Sequence, residues 1–180
     1  MVGGGSYMSG RKIEPAPEFF VGAVENPGTP PFEVRRRRAA KKAEAGARFL
    51  QLQLCYRPEL LERFIAGVHE VGVTQDCAML PAICMVGSPG ALRFMDANVP
   101  GVEVPPEVIA RMEATSDPLE ACFELACDQA RHALSLPGVA GVHLISFRKD
   151  SAIERLCESI GIRTRVEREQ HGHGSSLALS

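Results

Sequence analysis

The sequence predicts an α/β fold of the (β/α)8 barrel type with about four βα units present. Two observations carry this: apolar strand-length runs alternate with helical stretches along the chain, and the polar residues collect where those runs end. Alternation of this kind implies parallel strands joined by helical crossovers. A small open sheet would satisfy the same alternation, but the strands are apolar on both sides and no nucleotide-binding glycine motif follows the first, so half of a barrel fits at least as well.

Residues 1–17 contain three consecutive glycines, two serines and two prolines, and read as a flexible leader without a recognisable element. Phe19 to Val24 is the first strand run, and the turn formers Asn26, Pro27, Gly28, Pro30 and Pro31 follow it. Phe32 to Ala45 has helical composition, with Gly46 where a left-handed cap is wanted. Strand two is Phe49 to Gln53. Pro58 starts a helix whose Leu61, Phe64, Ile65 and Val68 recur at helical spacing, and Gly72 ends it.

Ala78 to Cys84 is the third strand, with Pro81 near its end. Two short helices, Pro89 to Asn98 and Pro105 to Ala114, precede a longer one opened by Asp117 as N-cap, Pro118 in the first turn and Glu120 at the capping-box position. Pro137 and Gly138 close it. Val142 to Phe147 is the fourth strand, and Ser151 to Ile160 is the last helix, stopped by Gly161. One domain thus occupies residues 18–162, and residues 163–180 read as a disordered tail.

Composition narrows the function classes. Hydrophobic residues make up 45% of the 180, a share that supports a packed core, yet no apolar run approaches the roughly 18 residues of a membrane span. With no apolar leader either, a cytoplasmic location is the expectation. Six cysteines without a Cys-x-x-Cys spacing read as reduced, mostly buried thiols. His171 and His173 lie in the Gly/Ser-rich tail, which argues for a disordered end over a metal site. A net charge of -2 gives no global pull towards nucleic acid, and the basic run from Arg35 to Lys42 has no aromatic platform beside it.

Strand-end residues form the candidate site: Glu25 and Asn26, Gln53 and Tyr56, Cys84, then Arg148 and Lys149. There is no Ser/His/Asp set, phosphate loop or carboxylate pair among them, so they read as ligand holders and not as a self-sufficient catalytic set. Gln53 is either an amide satisfied by backbone or a ligand contact. The cations from Arg35 to Arg38, with Lys41 and Lys42, are either a solvated helix face or include one or two that reach the rim and hold a phosphate. His143, inside an apolar strand, reads as a hydrogen-bonded core residue in preference to a catalyst, and Cys84 as core.

These residues also resemble a known family. Phe20-Val21-Gly22-Ala23-Val24, Lys42-x-x-Ala45-Gly46-Ala47-x-Phe49-x-x-x-Gln53, Pro81 with Ile83, Val104-Pro105 and His143-Leu144-x-x-Phe147 are together similar to the C-terminal half of the methylenetetrahydrofolate reductase family, from about Phe19 to Ile162. The resemblance implies an FAD-containing barrel that uses NADH or NADPH to reduce 5,10-methylenetetrahydrofolate to 5-methyltetrahydrofolate. It further implies that Lys42, with Arg38 nearby, meets the FAD phosphates. Glu25 and Asn26 would stand in the loop beside the flavin, Gln53 would contact the pterin, and Arg148 or Lys149 the folate.

Three departures accompany it. The loop Val24-Glu25-Asn26-Pro27 lacks the family's tyrosine and histidine, Pro89 stands where an aromatic would stack, and the family's catalytic glutamate and flavin-tuning aspartate belong to a half that this chain does not contain. The expectation is therefore a fragment or split subunit with no catalytic residue of its own. It would pair with an N-terminal half-barrel or a second copy, or else serve as a non-catalytic folate- or flavin-binding partner.

Overall fold

The computed structural model describes residues 5–146 and 150–162. Four strands, β1 (Gly22–Glu25), β2 (Phe49–Leu52), β3 (Ala78–Met85) and β4 (His143–Ser146), form one parallel sheet in the order β1-β2-β3-β4. Six α-helices accompany them: α1 (Phe32–Glu44), α2 (Pro58–Glu70), α3 (Pro89–Asn98), α4 (Pro106–Glu113), α5 (Pro118–Ser135) and α6 (Asp150–Ser159). Among the described residues no helix is long and apolar enough to cross a membrane.

Sequential strand order is the informative feature. Crossovers between parallel strands are right-handed, so a chain that always steps to the next strand in the same direction lays every crossover helix on one face. A doubly wound sheet must reverse its order to cover both. Packing agrees: Leu50, Leu52 and Met79 are sealed against α1 and α2, while Ile83, Met85 and Leu144 meet α5 and α6. Because side chains alternate across a strand, Phe49, Gln51, Leu80, Ala82, His143 and Ile145 are left on the opposite, largely helix-free face, where Ala82 and Ile145 at the carboxyl end meet the cluster of α3 and α4. This is the singly wound arc of a (β/α)8 barrel, four units long, and the helix-free face is the one a closed barrel turns inward.

Local signals account for the element ends. Asp117 Oδ1 accepts from the Glu120 backbone N–H at 3.0 Å, the expected cap of α5. Gly46 adopts φ +101, the left-handed turn that closes α1. The first strand begins later than its apolar run suggests. Phe19, Phe20 and Val21 lie outside the ladder and are exposed, and pairing starts at Gly22, where a Cβ would fall 2.1 Å from the Phe49 ring. Phe20 instead stacks on that ring, centroids 5.7 Å apart.

The leader also departs from expectation. Residues 5–13 make a small hairpin in which Tyr7 N–H donates to Arg11 C=O, Ile13 N–H donates to Gly5 C=O and Ser6 bridges Lys12. Short backbone pairings of this kind leave no apolar periodicity to read in a sequence. All six cysteines are free thiols, four of them buried. Phe147, Arg148, Lys149 and the tail histidines lie outside the described residues.

Candidate functional site at the carboxyl ends of the strands

On α1, Arg35, Arg38 and Lys42 stand at i, i+3 and i+7, one helical face, and that face looks towards the end of β1. Glu25 shares the parity of Ala23 on β1, so its side chain turns towards α1 and away from the bare face. It is 5% exposed, and it is the buried charged residue among the described ones. Burying a carboxylate demands partners, and it has two: Lys42 Nζ at 2.6 Å from Oε2 and Arg35 Nη1 at 3.3 Å from Oε1. Lys42 also donates to the Val24 carbonyl. Arg38 is exposed and makes no ion pair or hydrogen bond among the described residues.

Asn26 is engaged structurally. Its Oδ1 accepts from Gly28 N–H at 2.9 Å, and its Nδ2 donates to the Gly101 carbonyl at 2.8 Å, tying the loop after β1 to the α3–α4 connection. Arg57 pairs with Glu103 at 2.6 Å and ties the loop after β2 to the same connection. The inserted helices α3 and α4 thus close over the end of β3, where Leu54, Tyr56, Ala82 and Cys84 form a cluster with Leu92, Met95, Ile109 and Met112. Tyr56 therefore does not reach a rim. Burial first, with the Cys84 and Cys122 thiols second, raises its phenol far above the usual range. Burial alone pushes the Cys84 thiol up to about 11, which fits its expected core role.

Two cavities meet at Gln53. One, about 510 Å³, is largely apolar and lies among Tyr56, Leu61, Pro81, Ile83, Val108 and Leu125, under α2, α4 and α5. The other, about 500 Å³, is polar and opens on the bare face, lined by Glu25, Arg38, Lys42, Gln51, Gln53 and His143 among others. The structure therefore brings together Glu25, Asn26, Arg38, Lys42 and Gln53 of the expected site residues, all at the polar cavity. Arg148 and Lys149 lie outside the described residues.

Polar groups around this cavity are set by their bonds within the chain. Gln53 Oε1 accepts from Leu54 N–H at 2.9 Å, so the amide NH2 is the free end. Gln51 Nε2 lies 3.1 Å from His143 Nδ1. Neither Gln51 nor His143 stood out in the sequence as a site residue, and His143 read as core; it is half-buried and lines the cavity. The signal that reveals Gln51 is the two-residue period of Phe49, Gln51 and Gln53 on one strand. Chemically, the cavity offers a surplus of positive charge, with three cations against one carboxylate, and a polar wall of amides and an imidazole. That combination suits an anionic ligand with a flat heteroaromatic head.

Comparison with known proteins agrees with this setting. The family model described as methylenetetrahydrofolate reductase matches residues 26–161. A probable methylenetetrahydrofolate reductase (NADPH) of Caenorhabditis elegans is 22% identical over 141 residues, covering 76% of this chain and 21% of that protein. Among solved structures, an uncharacterized protein from Clostridium thermocellum that binds two copies of 5-methyl-5,6,7,8-tetrahydrofolic acid superposes with a TM-score of 0.56 at 17% identity. That superposition covers 87% of this chain and 56% of the Clostridium one, so this chain spans only part of each relative. With the family match running from the loop after β1 through α6, across β2, β3 and β4 and most of the residues lining the polar cavity, the chain belongs to the methylenetetrahydrofolate reductase family.

Proposed function

We propose that the chain is one half of a methylenetetrahydrofolate reductase-type flavoenzyme, holding FAD and a folate in the polar cavity of its bare face. The whole reaction is the reduction of 5,10-methylenetetrahydrofolate to 5-methyltetrahydrofolate with NADH or NADPH. The observation that carries this reading is the juxtaposition of Arg38 and Lys42 with Gln53 around one cavity at the strand ends. A folate ligand in the Clostridium neighbour and the reductase name of the worm relative support it.

The donor set fits a dinucleotide. Arg38 is uncommitted and meets a phosphate directly, while Lys42 is shared with Glu25 and holds the local field positive. Asn26 and Glu25 shape the loop that flanks the cofactor, through Gly101 and through α1. Bound there, FAD supplies the hydride transfer between nicotinamide and folate. Gln53 orients the pterin with its free amide NH2, and the basic pair Arg148 and Lys149 contributes a cation to the folate. None of these residues is a proton donor to the reaction.

The bare sheet face and its two free edges call for a second half-barrel, either an N-terminal half or another copy. Coexpression with the N-terminal half of a relative, followed by purification, is the test: flavin absorbance and NAD(P)H-dependent folate reduction are expected. A complex with neither would end the enzyme reading. One observation favours a second reading, a non-catalytic folate- or flavin-binding partner. Glu25 is the carboxylate lining the cavity among the described residues, and both its oxygens are taken up by Arg35 and Lys42. Ligand binding without turnover in the reconstituted complex would select it.

A further inference from the structure

The bare face carries a side-chain pair to which the reading above gives no task. Gln51 on β2 and His143 on β4 reach across the intervening strand, with Gln51 aligned on Leu80 and His143 on Ala82. Neighbouring strands are about 4.8 Å apart, so two gaps must be spanned, and the small Ala82 side chain leaves room for both to lean over β3. Their ends meet at 3.1 Å, Gln51 Nε2 to His143 Nδ1. An amide nitrogen only donates, so Nδ1 accepts and the ring proton resides on Nε2.

The other ring nitrogen, Nε2, meets no hydrogen-bond partner among the described residues, and it is not one of the buried polar atoms left without one. The ring lines the polar cavity. Gln53 contributes a second donor there, because its Oε1 is already committed to Leu54 N–H. The wall thus offers N–H donors at His143 and Gln53 with the Gln51 carbonyl beside them, a pattern suited to a ring that carries a carbonyl next to an N–H.

We infer that His143 is a specificity-determining residue that donates from Nε2–H to a ring carbonyl of a bound fused pyrimidinone, the chemistry that a flavin and a pterin share, and that Gln51 is a positioning residue that fixes its tautomer. The inference rests on the proposed flavin and folate site. Its test uses the full chain, with FAD titrated by fluorescence and 5-methyltetrahydrofolate by calorimetry. His143→Phe keeps a flat ring and loses the donor, His143→Gln restores an N–H, and Gln51→Leu releases the tautomer.

His143→Phe is expected to weaken one of the two ligands about tenfold, the loss of one directed hydrogen bond, with the affected ligand naming the source. His143→Gln recovers most of that loss. Gln51→Leu weakens the same ligand about threefold and introduces an Nδ1–H component into the His143 imidazole 15N signal, which in the wild type shows Nε2–H alone. Equal binding of both ligands by wild type and His143→Phe overturns the inference, as does a wild-type spectrum protonated at Nδ1. That spectrum decides the matter if His143→Phe does not fold. A wild-type chain that binds neither ligand overturns the proposed function itself, and this inference with it.

Discussion

The two faces of this sheet have opposite tasks. On the helix-covered face Leu50 and Met79 are wholly excluded from water, and their neighbours across the interface are apolar. On the bare face Val24 is 66% exposed, Phe20 is 77% exposed, and the residues between them and β4 include two amides and an imidazole. A face packed by helices can be apolar throughout because nothing need be recognised there. The face without crossover helices keeps polar groups with free ends, and its apolar margin along β1 is exposed.

The sharpest way to break this contrast is to hollow the covered face. Leu50→Ala is expected to cost about 2–5 kcal/mol, read from the urea midpoint at unchanged m-value. A loss under 1 kcal/mol would mean that Leu50 does not anchor the core. Next comes a pH effect at the place where α3 and α4 cover the sheet end. The Cys84 thiol keeps its proton in the folded chain up to about 11, while an unfolded thiol releases it near the ordinary 9.0. Its folded pKa is the raised one, so the stability linked to it is intact below about 9 and is lost as pH rises through 11. Cys84→Ala should flatten that decline; an unchanged slope would assign it elsewhere.

A smaller effect is expected at the end of β1. Glu25→Gln leaves Arg35 and Lys42 without their carboxylate, and because both cations are partly exposed the cost is about 1–3 kcal/mol in chemical denaturation. Smallest in stability is Val24→Lys on the bare face, within about 0.5 kcal/mol. It sharpens the contrast by another readout: sedimentation should find the wild type associated and the variant dissociated. Equal sedimentation of the two would remove β1 from any interface between copies of this chain.

How much of this was legible in the sequence depends on period and parity. Helices α2 and α5 were readable because Leu61, Phe64, Ile65 and Val68, and the Asp117 cap, are signals contained within one element. The parallel order follows from alternation, and the fold with it. Parity in a four-residue strand is another matter. Whether Glu25 turns to the bare face or to the helices depends on the register of Gly22 against Phe49, which is set by contacts between strands and not by either strand alone. For the same reason His143 read as core, since its partner Gln51 lies 92 residues away. Tyr56 read as a rim residue because the closure of α3 and α4 over it depends on Arg57 with Glu103 and Asn26 with Gly101, pairs brought together only by the fold.

The Glu25, Arg35 and Lys42 cluster has a consequence for inheritance. Because one buried carboxylate answers two cations, none of the three positions is free to drift alone: an ancestor that lost the acid would carry two partly buried cations without a counter-charge until the bases changed as well. Relatives should therefore have an acidic position 25 with basic positions 35 and 42, or have replaced all of them together, and a family tree would record the change as a linked event.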